Sequence, residues 1–314
     1  MMGRMARLSG TDLDVFPLCL GGNVFGWTAD EQESFALLDV YAAAGGNFVD
    51  TADVYSSWVP GHAGGESETI IGRWMAARSA RDRTIVATKV GLGPGLEGLA
   101  QATIRAAAEA SLRRLGVDRI DLYYAHKDDP KTPLEETLRA FDTLVREGKV
   151  RHVAASNYAA PRLAEALEIS AREGLARFVV LQPHYNLVHR EEYEGALAGV
   201  CTGASVACVP YFGLAMGFLT GKYRPGVRVQ SARADGAGKY LNARGERVLA
   251  ALDEVAGARG VPVAAVSLAW LRGRPGVVAP IASARTVSQL RELLPMATLA
   301  LTPGEIDRLT VASS

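Results

Sequence analysis

The chain has 314 residues and a mass of 33.3 kDa, with 48% hydrophobic and 22% charged residues; this excludes a disordered polymer and suits one α/β barrel in a single domain, 1–314. Lys+Arg and Asp+Glu are both 34, so no net field recruits nucleic acid or an anionic membrane surface. The opening MMGRMARLSG lacks an apolar core, no apolar run is long enough to span a bilayer, and Cys19, Cys201 and Cys208 form no CxxC pair; the expectation is buried reduced thiols, no membrane association and a cytoplasmic location.

The first apolar run is FPLCLG, 16–21. After it, Thr28-Ala-Asp-Glu31 reads as a capping box, Phe35, Leu38 and Tyr41 recur at helical spacing, and Gly45-Gly46 stop the helix. NFVD, 47–50, is the second run, followed by a predicted helix over about 67–77. TIVATKV, 84–90, precedes a helix over about 99–115. IDLYYAH, 120–126, leads to Thr132-Pro133-Leu-Glu135, which reads as a helix start with proline at the first helical position; that helix ends near Gly148. VRHVAAS, 150–156, precedes a helix over about 161–173, and FVVLQPH, 178–184, and ASVACVPY, 204–211, come next. GKYRPGVRVQSARADGAG, 221–238, reads as a long mobile loop before helices over about 242–258 and 263–273. GVVAPIA, 276–282, is the eighth run; helices over about 286–294 and 303–312 close the chain, the last opened by a capping box at Thr302-Pro-Gly-Glu305.

The runs are continuously apolar rather than alternating, as strands buried on both faces of a parallel sheet are. Eight of them, each followed by a crossover, predict a (β/α)8 or TIM barrel; no GxGxxG follows the first, which argues against a doubly wound sheet. Such a barrel carries its chemistry where the strands end. The polar residues there are Asp50 with Tyr55 on the following loop, Lys89, His126, Ser156 with Asn157, Gln182 and Tyr211.

An acid, a phenol, an ammonium and an imidazole around one cavity have a joint purpose. A phenol of pKa near 10 is a poor proton donor at pH 7. An ammonium roughly 4 Å away at an effective dielectric near 20 favours tyrosinate by about 4 kcal/mol, before the opposing effect of burial. Lys89 supplies that charge, Asp50 keeps it protonated and aimed, and His126 orients a carbonyl oxygen, so the set predicts general-acid chemistry with Tyr55 as donor. Each residue alone has a structural explanation: a paired surface charge, a satisfied histidine, a packed ring, or a turn-capping carboxylate. Two other readings use the same groups: a nucleotide-binding sensor without turnover, and a lyase with Lys89 as Schiff-base nucleophile. His62, His126, His152, His184 and His189 show no HExxH or similar spacing, so no metal is expected.

At these residues the sequence resembles the aldo-keto reductases over nearly its whole length. DTADVY, GGESETIIG (64–72), IVATKVG and DLYYAHKDDPKTPLEETL carry the likeness in the family's order. The resemblance implies extended NADP(H) binding without a Rossmann unit and hydride transfer to an aldehyde or ketone, the small-molecule partner. It implies Tyr55 as general acid, Lys89 and Asp50 as its tuners, and His126 as carbonyl orienter. Ser156, Asn157 and Gln182 match residues that hold the nicotinamide carboxamide, and Tyr211 matches the aromatic stacked on its ring. YFGLAMGFLTGKY, 211–223, resembles the loop over the pyrophosphate, which brings in Leu214, Gly217 and Lys222; Phe212-Gly213 stand where Ser-Pro is common. PIASARTVSQLRELL, 280–294, resembles the segment around the adenosine 2′-phosphate, with Ser283, Arg285 and Gln289 as contacts and Leu293 in place of an asparagine. Trp27, Trp58 and Lys127 are expected at the substrate side, for a mid-sized, partly polar carbonyl compound; Trp74 and Trp270 are expected in the core. A homo-oligomer is compatible with the sequence.

Overall fold

The apolar runs form eight parallel strands in the computed structural model, which describes residues 5–314; the first four residues of the stretch read for a signal peptide lie outside the described residues. The strands are β1 (Cys19–Gly21), β2 (Phe48–Asp50), β3 (Ile85–Val90), β4 (Ile120–Ala125), β5 (Val150–Ser156), β6 (Phe178–Gln182), β7 (Ala207–Cys208) and β8 (Ile281–Ala282). They hydrogen-bond in chain order, with β8 beside β1, and Cys208 pairs with Val277 just before β8, which closes the ring. The architecture is the expected (β/α)8 barrel.

The period-2 alternation of a strand sorts its side chains between two cores. Cys19, Phe48, Ala87, Leu122, Tyr124, Ala154, Val180, Val209 and Ile281 fill the barrel interior. Leu20, Val49, Val86, Tyr123, Val153 and Leu181 face outward into the larger core beneath the helices. Two residues beyond the last interior position of each strand stands a polar or minimal one: Gly21, Asp50, Lys89, His126, Ser156, Gln182, Tyr211 and Ser283. The barrel parity that buries the apolar residues therefore aims this set at a single mouth.

Some local expectations need correction. The first helix, Glu31–Ala43, is capped by Asp30, whose Oδ1 accepts from Glu33 N at 2.8 Å, and not by Thr28, whose buried hydroxyl has no partner. Pro133 occupies the N-cap of Leu134–Arg146 rather than the first helical position, and Thr132 donates to Asp129 Oδ2 at 2.7 Å instead of capping. At Thr302 the capping box is complete. A helix at Ala196–Gly203 carries β6 to β7 without having announced itself by periodicity, and the 221–238 segment contains a short helix, Ala234–Gly238. A hairpin of Ala6–Arg7 and Asp14–Val15, also unforeseen, closes the barrel floor with Leu8, Leu13 and Val15.

Trp74 and Trp270 are buried, and Cys19, Cys201 and Cys208 are free buried thiols, as expected. No helix among the described residues is long and apolar enough to cross a membrane.

Candidate active site

Lys89 is fully buried at the barrel mouth. Its Nζ donates to Asp50 Oδ2 at 2.6 Å, to the Thr51 carbonyl at 2.7 Å and to the Tyr55 hydroxyl at 2.9 Å, which uses all three ammonium protons. Asp50 also accepts from Gln182 Nε2 at 2.9 Å through Oδ1 and from the Tyr55 hydroxyl at 3.4 Å through Oδ2. His126 lies edge-on to Tyr55, with ring centroids 6.1 Å apart, and its buried Nδ1 has no partner among the described residues. Asp50, Tyr55, His126 and Gln182 line the floor of a cleft of about 630 Å³, with Lys89 buried behind them.

Burial and charge set the protonation states. Burial pushes the Tyr55 phenol up and the Lys89 ammonium pulls it back only in part, leaving it at about 12. Proximity alone predicted a lowered value; removal from water outweighs it, and the phenol keeps its proton at neutral pH. Burial also works against the Lys89 charge, but Asp50 and the phenol oxygen more than offset it and hold the ammonium above its ordinary value. His126 is pushed well below the usual imidazole range, first by burial and then by Lys89, so it is neutral.

The segment matching GGESETIIG supports this floor from behind. Ser67 Oγ donates to the Gly22 carbonyl and accepts from Thr51 Oγ1, both at 2.8 Å. Glu68, fully buried, takes Thr88 Oγ1 at 2.5 Å and Arg114 Nε at 2.6 Å. A Cβ at Gly72 would stand 2.6 Å from the Arg114 carbonyl, so only glycine lets the helices Glu66–Ala77 and Gln101–Leu115 approach this closely.

Asp53 is the exception in this wall. It is 5% exposed, and neither carboxylate oxygen has a hydrogen-bond partner among the described residues. Burial, then repulsion from Glu68, raises its pKa to about 7. A carboxyl whose folded pKa lies above its unfolded value binds a proton in the native state between about pH 4 and 7, so its contribution to stability declines as pH rises through that window. Asp53→Asn is therefore expected to remove a destabilisation of at most about 4 kcal/mol at pH 8 and little at pH 4. Urea unfolding of both proteins at the two pH values checks this; equal pH dependence would refute it.

Above the floor, Ser156 Oγ donates to the Gln182 carbonyl at 2.9 Å. Asn157, held at φ 56, donates through Nδ2 to the His126 carbonyl at 2.9 Å and accepts at Oδ1 from the Tyr211 hydroxyl at 2.8 Å. The loop after Tyr211 gathers unusual backbone: Phe212, Ala215, Met216 and Gly217 all have positive φ. For the three non-glycine residues this costs roughly 1–2 kcal/mol each, a strain that concentrates where a ligand contacts backbone. Leu214 and Gly217 line the cleft there, and so does Phe212.

The far end of the cleft is cationic. Lys222, Arg285 and Gln289 line it, and the structure adds Arg233 from the 221–238 segment. Burial, then Arg285 and Arg233, lowers the Lys222 pKa, although Glu292 acts in the opposite direction; burial and Arg285 likewise lower Arg233. Cations that destabilise one another in this way fit an anion. Ser283 Oγ lies 2.6 Å from Asn23 Oδ1, and a Cβ at Gly21 would stand 2.5 Å from that hydroxyl and force it to move. Arg233 carried no sequence signal beyond its basic, glycine-rich segment.

The substrate-side expectations divide. Trp27 lines the cleft beneath the Arg233 guanidinium, 5.6 Å from the ring centroid. Trp58, 47% exposed, packs edge-on against Trp27 at 5.6 Å and Tyr55 at 6.2 Å. Lys127 is exposed and lies outside the cleft lining, because the alternation that aims His126 inward turns its neighbour away.

A profile of the Aldo/keto reductase family matches residues 17–313. The chain is 32% identical to aldo-keto reductase AMT2 of Alternaria alternata, over 96% of this chain and 89% of that protein. It is 34% identical to norsolorinic acid reductase stcV of Emericella nidulans, over 88% of this chain and 72% of that protein, and 36% identical to the oxidoreductase YrpG of Bacillus subtilis, over 91% and 89%. With a closed barrel, a polar mouth and a match of this extent, the chain belongs to the aldo/keto reductase family and is a nicotinamide-dependent oxidoreductase acting on carbonyl groups.

Proposed function

We infer that the protein reduces an aldehyde or ketone with NADPH, with Tyr55 as general acid to the carbonyl oxygen. The observation that carries this is the buried Tyr55–Lys89–Asp50 chain, with contacts of 2.9 and 2.6 Å on the cleft floor. The bound nicotinamide supplies the hydride. Tyr55 supplies the proton, and Lys89, already 2.9 Å away, stabilises the phenolate that this leaves. Asp50 keeps the lysine charged and fixed in direction. Neutral His126 offers an N–H to the carbonyl oxygen without adding a second positive charge beside Lys89. A protonated Lys89 bound to a carboxylate has no lone pair for Schiff-base chemistry, which disfavours the lyase reading.

The remaining lining fits a dinucleotide. In this reading Ser156, Asn157 and Gln182 hold the carboxamide, Tyr211 supports the nicotinamide ring, and Leu214, Gly217 and Lys222 meet the pyrophosphate. Arg285, with Ser283 and Gln289, would take the adenosine 2′-phosphate, and Arg233 adds positive charge near Arg285 and Lys222. The orthogonal Trp27–Trp58 pair suits a flat aromatic carbonyl compound, and one relative's name, norsolorinic acid reductase, recommends norsolorinic acid for a substrate panel read by NADPH oxidation.

A guanidinium matches a phosphate in shape as well as charge, and a hydrogen bond to a charged group contributes about 1.5–3 kcal/mol. Arg285→Ala is therefore expected to raise the Kd for NADPH by about 10- to 100-fold and that for NADH by less than about 3-fold. Fluorescence titration with both nucleotides measures this. Equal losses would overturn the preference for NADPH.

A further inference from the structure

Behind Tyr211, on the turn that follows β6, three metal-ligating side chains converge. His184, His189 and Glu192 each place a donor atom within 4.8 Å of the other two. We propose that they form a binding site for a divalent transition metal of the zinc class, separate from the reductase chemistry.

The backbone assembles this cluster. Asn186 and His189 exchange reciprocal N–H···O bonds of 3.1 Å, a tight turn that folds His189 back over His184. The Asn186 side chain pins the turn at Val188 N and at the Phe212 carbonyl, 2.9 Å each. Arg190 anchors its far side to Glu194, the Thr310 carbonyl and Ser313. The two imidazoles stack at 3.7 Å with an 11° tilt, and His189 Nε2 lies 2.7 Å from Glu192 Oε2. Neighbouring Glu191 is drawn off toward Arg244, so Glu192 alone faces the histidines.

Two histidines and a carboxylate make a three-ligand set that Zn²⁺ accepts, with water completing the tetrahedron. Metal–nitrogen bonds of about 2.0–2.1 Å place tetrahedral donors roughly 3.3 Å apart, so the cluster must tighten. Ring lone pairs lie in the ring planes, and in stacked rings they run parallel. Convergence therefore requires one ring to turn about its Cβ–Cγ bond, a torsion with broad minima. His189, on the outer turn and 34% exposed, is free to make that turn, while His184 packs against both Tyr211 and Phe212. The H-x4-H-x2-E spacing resembles no recognised metal motif, which is why the sequence carried no metal expectation.

The test is calorimetric titration of the tag-free, chelator-treated full chain with ZnCl2, with Co²⁺ absorption reporting donor type. One Zn²⁺ per chain is expected. His189→Asn and His184→Asn should each weaken binding at least about 10-fold, the scale on which even supporting residues act. His189→Asn changes only an outer-turn side chain, so it reports even if His184→Asn fails to fold. His62→Asn and His152→Asn should bind as wild type does. No Zn²⁺ binding by the wild-type chain, or binding unchanged in His189→Asn, overturns the proposal.

Discussion

Replacing Tyr55 with phenylalanine is expected to lower kcat for NADPH-dependent carbonyl reduction by roughly 10³-fold, within the 10²–10⁴-fold range of general acid–base catalysis. The nucleotide Kd should change by less than about 2-fold, because the hydroxyl removed contacts only Lys89 and Asp50. The ring remains, with its edge contacts to Trp58 and His126. Lys89 loses one of three acceptors but keeps Asp50 and the Thr51 carbonyl, so the fold should tolerate the change. Single-turnover oxidation of bound NADPH by a reactive aldehyde isolates the step. Wild-type turnover in this variant would remove Tyr55 from the chemistry, and with it the reading of Lys89 as the group that stabilises its anion. A nucleotide-binding sensor without turnover predicts no aldehyde-dependent oxidation even in the wild-type chain, so the same assay separates that reading.

Much of the barrel was legible because burial on both strand faces leaves an unambiguous trace: eight continuous apolar runs with polar residues at their ends. The same alternation brought Asp50, Lys89, His126, Gln182 and Tyr211 to one mouth. What escaped lacks periodic signal. The floor hairpin rests on Leu8, Leu13 and Val15, too few residues to show a period. The helix Ala196–Gly203 is short and Gly-interrupted. Asp30, rather than Thr28, won the cap because its side chain reaches Glu33 N, a choice between adjacent candidates that spacing alone does not decide. Arg233 enters the cleft only because its segment folds back over Trp27, and His184, His189 and Glu192 meet only because a turn closes. The Tyr55 proton is the instructive case: charge proximity was readable from sequence, but full removal from water was not, and burial has the larger effect.

Lys89→Met should be the most damaging single change at this site. Methionine roughly fills the volume but leaves Asp50, 2% exposed, without its counter-charge; breaking a buried ion pair from one side costs roughly 3–5 kcal/mol. Catalysis falls for a separate reason. An ammonium 2.9 Å from a forming phenolate contributes about 6 kcal/mol at an effective dielectric near 20, so kcat should drop by up to roughly 10⁴-fold. The two effects can be separated. Adding Asp50→Asn removes the stranded charge and keeps a partner for Gln182, so the double variant should regain much of the lost stability in urea unfolding. It should regain none of the turnover, because no cation returns beside Tyr55. Recovery of activity together with stability would mean that Lys89 serves only to hold the fold; stability lost and not restored would mean that the pair is not what makes the lysine necessary there.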